Sequence, residues 1–141
     1  MGQTLPAADA PGRAARDDGG MTTFFSEAER AYLAGQRIGR MATVDRHGQP
    51  QANPVGFFLQ DDGTILIGGL AMGTTKKWRN LTHNPRIALV VDDVVSVEPW
   101  TVRGVDIRGE AELLTGSHGL GPHFSPEVIR VHPRSVRSWG L

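Results

Sequence analysis

The chain has 141 residues, with 15 Lys plus Arg against 15 Asp plus Glu, 18 Gly, 9 Pro and no Cys. A single domain of this size buries about two-thirds of the surface that its unfolded chain exposes, so it needs neither disulfide nor structural metal to fold. The lack of cysteine excludes thiolate catalysis, dithiol redox chemistry and Cys-based zinc sites, and a formal charge of zero argues against nucleic-acid binding through bulk electrostatics.

Residues 1–20 hold no aromatic, Val or Ile, and they lack the basic start and apolar run of a signal peptide. They are expected to be a disordered tail, with one patterned domain over residues 21–141. No run approaches the roughly 18 apolar residues of a membrane span, so the expectation is a cytoplasmic protein with no membrane partner. Ser26 followed by Glu29 is a capping box that starts a helix, and Gly35 is expected to stop it. Residues 38–44 read as a strand closing at Asp45-Arg46-His47-Gly48. Residues 49–59 return as a second strand, and Pro50 and Pro54 within it predict an edge or a bulge, because proline cannot donate to a ladder.

Asp61-Asp62-Gly63 is a hairpin signal, and residues 64–69 form the predicted third strand. The period is helical over residues 70–84, with Pro85 just beyond. Residues 86–92 contain an apolar run that reads as a buried strand. From Val105 to Leu113 every odd position is apolar or Gly and every even one is charged, so one face is core and the other solvent. Ile129 and Val131 repeat that scheme in a last short strand. These strands, with short turns and two or so short helices, point to a mainly β, closed or nearly closed antiparallel barrel.

The strongest chemical signal is Gly73, Thr74, Thr75, Lys76, Lys77 and Arg79 at a predicted helix start, where free amides and the positive dipole end favour an anion. A phosphate site and a solvated helix face explain the pattern about equally. The five histidines have no ligand spacing that supports a metal site, and no catalytic residue is singled out. Trp139, beside the chain end, needs something to dock on: its own barrel, a second subunit or a flat ligand.

Arg40-Met41-Ala42-Thr43-Val44, His47-Gly48-Gln49-Pro50-Gln51-Ala52-Asn53-Pro54-Val55, Thr75-Lys76-Lys77-Trp78-Arg79-Asn80-Leu81, Asn84-Pro85-Arg86 and Arg108-Gly109-Glu110-Ala111 follow one another in order. So arranged, the chain resembles the pyridoxamine 5'-phosphate oxidase-like FMN-binding split barrels. Within them it is most similar to the actinobacterial branch that depends on the deazaflavin coenzyme F420. The resemblance implies a homodimer of six-stranded antiparallel split β-barrels with two cofactors in clefts between subunits. It also implies that Asn53, Pro54, Val55, Gly56 and Phe57 lie along the ring, that Gly68 and Gly69 let the ribityl chain approach, and that Thr75, Lys76 and Lys77 take the phosphate. Trp139 joins this cofactor set.

The oxidases of this family carry an Arg and a Lys on the second strand where this chain has Asn53 and Phe58, which disfavours vitamin B6 oxidation. The expected activity is hydride transfer between reduced F420 and a small unsaturated organic substrate. An FMN-dependent oxidoreductase is the alternative, and a non-catalytic F420 or FMN carrier is the alternative of another class.

Overall fold

In the computed structural model the described residues are 24–141, together with strand backbone at residues 13–14, 17–18 and 21–22. Most of the expected N-terminal tail therefore lies outside the described residues; within it, Arg13 and Ala14 pair with Val136 and Ser135. Helix α1 (Glu27–Ala34) starts as the capping box requires. Ser26 Oγ accepts the Glu29 amide at 3.1 Å, and Glu29 Oε2 accepts the Ser26 amide at 2.9 Å. Gly35 ends the helix, donating to the carbonyl of Tyr32. The inner face of α1 is fixed by polar as well as apolar contacts: Ser138 Oγ donates to Glu29 Oε1 and the Tyr32 hydroxyl to Asp93 Oδ1, both at 2.8 Å.

Seven strands follow: β1 (Ile38–Val44), β2 (Pro50–Gly56), β3 (Phe58–Leu59), β4 (Ile65–Ile67), β5 (Arg86–Val97), β6 (Trp100–Thr115) and β7 (Glu127–Trp139). They pair antiparallel in the order β2-β1-β5-β6-β7-β4-β3. The two ends of that path, β2 and β3, are separated in the chain by Phe57 alone. A sheet whose edges are joined by one residue must curl back on itself, and this is the split barrel. Met41, Leu89, Val91, Val105, Ile107, Ile129 and Val131 fill it, all buried.

The predicted second strand is thus one run that changes neighbours at Phe57, from β1 to β4. Its prolines are accommodated because β2 is an edge strand, as expected. The hairpin glycines Gly48 and Gly63 have φ of 84° and 85°, which glycine adopts without steric strain. Two strands run further than their patterns suggested. Strand β5 continues past Asp92 because it stays paired with β6 as far as Val97 and Trp100; its outer half, with Val94, Val95 and Val97 exposed, leaves the core and so lacks the alternation. Strand β7 passes through Pro133, where the register with β6 shifts between Pro133 and Ser135; a bulge tolerates the missing donor.

The predicted helix over residues 70–84 is shorter. A 3₁₀ turn at Met72–Thr74 leads into α2 (Lys76–His83). No helix among the described residues is long and apolar enough to cross a membrane.

The β3–β4 turn yields a pH prediction. Thr64 donates to Asp62 Oδ1 through its hydroxyl at 2.6 Å and its amide at 2.9 Å, and these bonds, the hydroxyl first, hold the Asp62 carboxyl below the usual range. A depressed folded-state value means that the stabilisation is complete above the ordinary carboxylate range near pH 4 and is lost as pH falls through the lower folded value. Replacing Thr64 by Val is expected to raise the Asp62 titration midpoint in a carbon-detected NMR titration. A midpoint that does not move would show that the hydroxyl is not the cause.

Candidate cofactor site

The anion motif is built at the start of α2. Thr75 is the cap: its hydroxyl oxygen accepts the Trp78 amide at 3.3 Å. Both Thr75 donors are themselves engaged, the amide at 3.0 Å and the hydroxyl at 2.7 Å, each to the carbonyl of Met72. Thr75 therefore shapes the helix start and has no donor left for a ligand. Thr74 likewise donates its hydroxyl to the carbonyl of Ala71, and Arg79 folds back onto the carbonyl of Thr74 at 3.3 Å.

Lys76 and Lys77 are different. The first turn of α2 contains no acidic residue, and neither lysine has an ion pair with a described residue. The Lys76 charge is felt at Asp45. The Gln49 amide, then the His47 amide and the Lys76 charge, hold its carboxyl below the usual range. Cations at a helix N-terminus oppose the macrodipole, and the first amides of a helix have no acceptor within it. Two unpaired ammonium groups and free amides together are a donor set that fits a phosphate.

A buried network ties this helix to the predicted ring strand. Asn80 Nδ2 donates to Thr43 Oγ1 and to Gln51 Oε1, both at 3.0 Å, and Gln51 Nε2 donates to Asn53 Oδ1 at 2.6 Å. Asn80 and Thr43 are buried. Asn80, Thr43 and Gln51 lie in the segments that carry the family resemblance, but the sequence alone gives them no role; the one local signal is a polar residue beside Leu81 on the helix face shared with Lys77. Replacing Asn80 by Ala leaves Gln51 Oε1 without that donor and is expected to cost about 2 kcal/mol, measured by urea unfolding. A change under about 0.5 kcal/mol would mean that the network is replaced by water.

The remaining predicted residues are distributed unevenly. Val55 and Phe57 point into the core, and Pro54 and Gly56 are exposed on the edge strand. A Cβ at Gly68 would lie 2.8 Å from Phe124 and 3.1 Å from Leu120, so the room beside this glycine is occupied by the β6–β7 connection. Gly69 accepts the Ser125 amide at 2.8 Å through its carbonyl. At Gly73 the neighbour is the Glu127 carboxylate, whose Oε2 is buried without a hydrogen-bond partner. Trp139 docks on its own barrel: a Cβ at its cross-strand partner Gly104 would lie 2.5 Å from Trp139 Cζ2.

A cleft of about 900 Å³ opens between α1 and the β2–β3 corner, lined by Arg30, Arg37, Phe57 and Phe58 among others. It takes in Phe57 but not Gly68, Gly69, Lys76 or Lys77. Among the described residues no group of three His, Cys, Asp or Glu is placed to hold a metal ion.

The family pattern described as pyridoxamine 5'-phosphate oxidase matches residues 25–140. The chain belongs to that family. A relative within reach of direct comparison is the 5a,11a-dehydrotetracycline/5a,11a-dehydrooxytetracycline reductase of Streptomyces rimosus. It is 45% identical over 119 residues, which are 83% of this chain and 84% of the reductase. Among solved structures, the conserved hypothetical protein Rv2991 from Mycobacterium tuberculosis superposes with a TM-score of 0.65 at 25% identity, over 82% of this chain and 85% of its own. An F420 reductase superposes with a TM-score of 0.62 at 24% identity, over 80% of this chain and 98% of its own, a likeness of fold. The chain is accordingly an oxidoreductase of the pyridoxamine 5'-phosphate oxidase-like family.

Proposed function

We propose that this oxidoreductase uses coenzyme F420 to reduce a conjugated carbon–carbon double bond in a polycyclic, polyketide-like substrate. The observation that carries a phosphate-bearing cofactor is the start of α2, where Lys76 and Lys77 stand unpaired at the dipole end that repels them; the choice of F420 over FMN rests on the resemblance of the ordered segments to the F420-dependent branch. The substrate class is supported by the dehydrotetracycline reductase similar over most of the chain. When bound and reduced, the deazaflavin supplies a hydride to the substrate double bond, with a water proton completing the reduction.

The residues of this chain bind and orient. Lys76 and Lys77 neutralise the phosphate. Asn53, with Oδ1 held by Gln51, keeps its amide donor for the polar edge of the ring. The open edge of β2, with Phe57 just beyond it, offers backbone to the ring face at residues 53–57. No side chain is required as nucleophile.

The same reading includes a cytoplasmic homodimer with the cofactor at the interface and residues 21–141 as the catalytic domain. The exposed Val94, Val95 and Val97 on the β5–β6 hairpin are an apolar surface of the kind that a second copy covers.

The test is fluorescence titration with F420 and with FMN, sedimentation, and turnover of a dehydrotetracycline with reduced F420. Tighter F420 binding by a dimer, with reduction of the substrate, is expected. Equal or tighter FMN binding would assign FMN instead, and binding without turnover over a panel of enones and quinones would make the protein a carrier.

A further inference from the structure

The β6–β7 connection, residues 116–126, folds back over the outer face of the sheet. There Leu120 and Phe124 pack against Gly68, residues 116–118 share a pocket with Leu66 and Val128, which are buried outside the main core, and Phe124 meets Phe58 edge to face at 5.8 Å between ring centres.

One imidazole bridges its two arms, beside backbone bonds from the Gly116 amide to the Pro126 carbonyl at 3.0 Å and from the Phe124 amide to the Gly121 carbonyl at 3.4 Å. His118 Nε2 lies 2.9 Å from the carbonyl oxygen of Ser125, and His118 Nδ1 lies 3.1 Å from the amide of Leu120. A carbonyl only accepts and an amide only donates, so both bonds form together in one state, the neutral ring with its proton on Nε2. A proton added at Nδ1 would face the Leu120 N–H.

From His118 a series of hydrogen bonds, joined through the backbone of Ser125 and of Met72, runs to the anion motif. His118 Nε2–H donates to Ser125 O. Ser125 donates its amide to Gly69 O, and its hydroxyl oxygen accepts the Met72 amide at 2.9 Å. Met72 O accepts both donors of Thr75, and the Thr75 hydroxyl oxygen accepts the Trp78 amide at the head of α2.

We propose that neutral His118 is a positioning residue for the anion site at Lys76 and Lys77, and that its protonation releases the 116–126 connection and weakens anion binding. The proposal rests on reading that helix start as the cofactor phosphate site. The charged and titratable groups around the imidazole are few. Arg130 of β7 lines the same pocket of about 180 Å³, and its Nε is buried without a hydrogen-bond partner. Glu127 heads β7 with its carboxylate against Gly73, and His123 is exposed on the connection itself. The neighbouring residues of β4 and β6 in that pocket are Leu66, Leu114 and Thr115. A second positive charge at His118 would share this space with the Arg130 guanidinium.

The experiment compares F420 dissociation constants between pH 7.5 and 5.5, across the range where histidines change charge, for the wild-type protein, His118→Gln, His118→Phe and Ser125→Ala. Gln keeps an acceptor and a donor but does not titrate, so its profile removes the titration of the ligand and the lysine site. The wild-type constant is expected to rise about fivefold more than that of His118→Gln, the equivalent of one lost hydrogen bond. His118→Phe and Ser125→Ala are expected to bind weakly at both pH values, without that step. Nitrogen NMR at pH 7.5 should show the Nε2–H tautomer, with the Leu120 amide protected from exchange.

Coincident wild-type and His118→Gln profiles overturn the proposal while F420 binding itself stands. A different tautomer or a doubly protonated ring at pH 7.5 also overturns it. No F420 binding by wild type at any pH removes the phosphate-site reading, and this proposal with it.

Discussion

Replacing Lys76 and Lys77 together by alanine is expected to weaken F420 binding by at least about a hundredfold while leaving the fold intact. The estimate follows from two charge-assisted contacts to one phosphate, each contributing roughly 1.5–3 kcal/mol. The fold is spared because neither side chain has a partner to lose within the described chain: Lys76 is exposed, Lys77 is half-buried, and no acid lies in the first turn of α2. Removing two cations from a helix N-terminus even relieves an unfavourable dipole contact. A melting temperature at or slightly above wild type, combined with lost affinity by fluorescence titration, is the predicted pair of results. Unchanged affinity would return the lysines to the role of an ordinary solvated helix face.

The largest structural effect is expected at Gly109. This residue stands in an apolar slot of the alternating β6 pattern, opposite Pro133 of β7. A Cβ there would collide with the carbonyl oxygen of His132 and lie 3.0 Å from Pro133 Cα. These are backbone atoms on the bulged strand, so neither can swing aside as a side chain would. Gly109→Ala is therefore expected to destabilise by about 3 kcal/mol, the upper end of overpacking costs, and to lower the melting temperature by roughly 10 °C. Urea unfolding measures it. A loss under about 0.5 kcal/mol would mean that β7 shifts freely at its bulge.

What was legible in the sequence was what local chemistry determines. Ser26 and Glu29 announce their own capping box, Gly48 and Gly63 their positive φ, and the residues around Val105 and Ile107 the face that enters the barrel. The lysine pair stands out as a candidate anion motif because charge at a helix start has meaning without tertiary structure. What was not legible depends on partners distant in the chain.

Asn80 looks like any helix-surface amide until Thr43 and Gln51 are beside it. Thr75 looked like a phosphate ligand until both of its donors were found on Met72. Gly68 suggested room for a cofactor chain, yet Phe124 and Leu120, more than fifty residues later in the sequence, occupy that space. The outer halves of β5 and β7 escaped notice for a related reason. Exposed valines and a proline inside a bulge break the periodicity by which a strand is recognised.

The most direct test of the account is diffraction from crystals of the protein grown with oxidised F420. The predicted result is a phosphate group within hydrogen-bonding distance of both Lys76 Nζ and Lys77 Nζ, in a cleft that a second copy of the chain completes. Cofactor density with its phosphate held elsewhere, and the head of α2 left in contact with solvent, would contradict it.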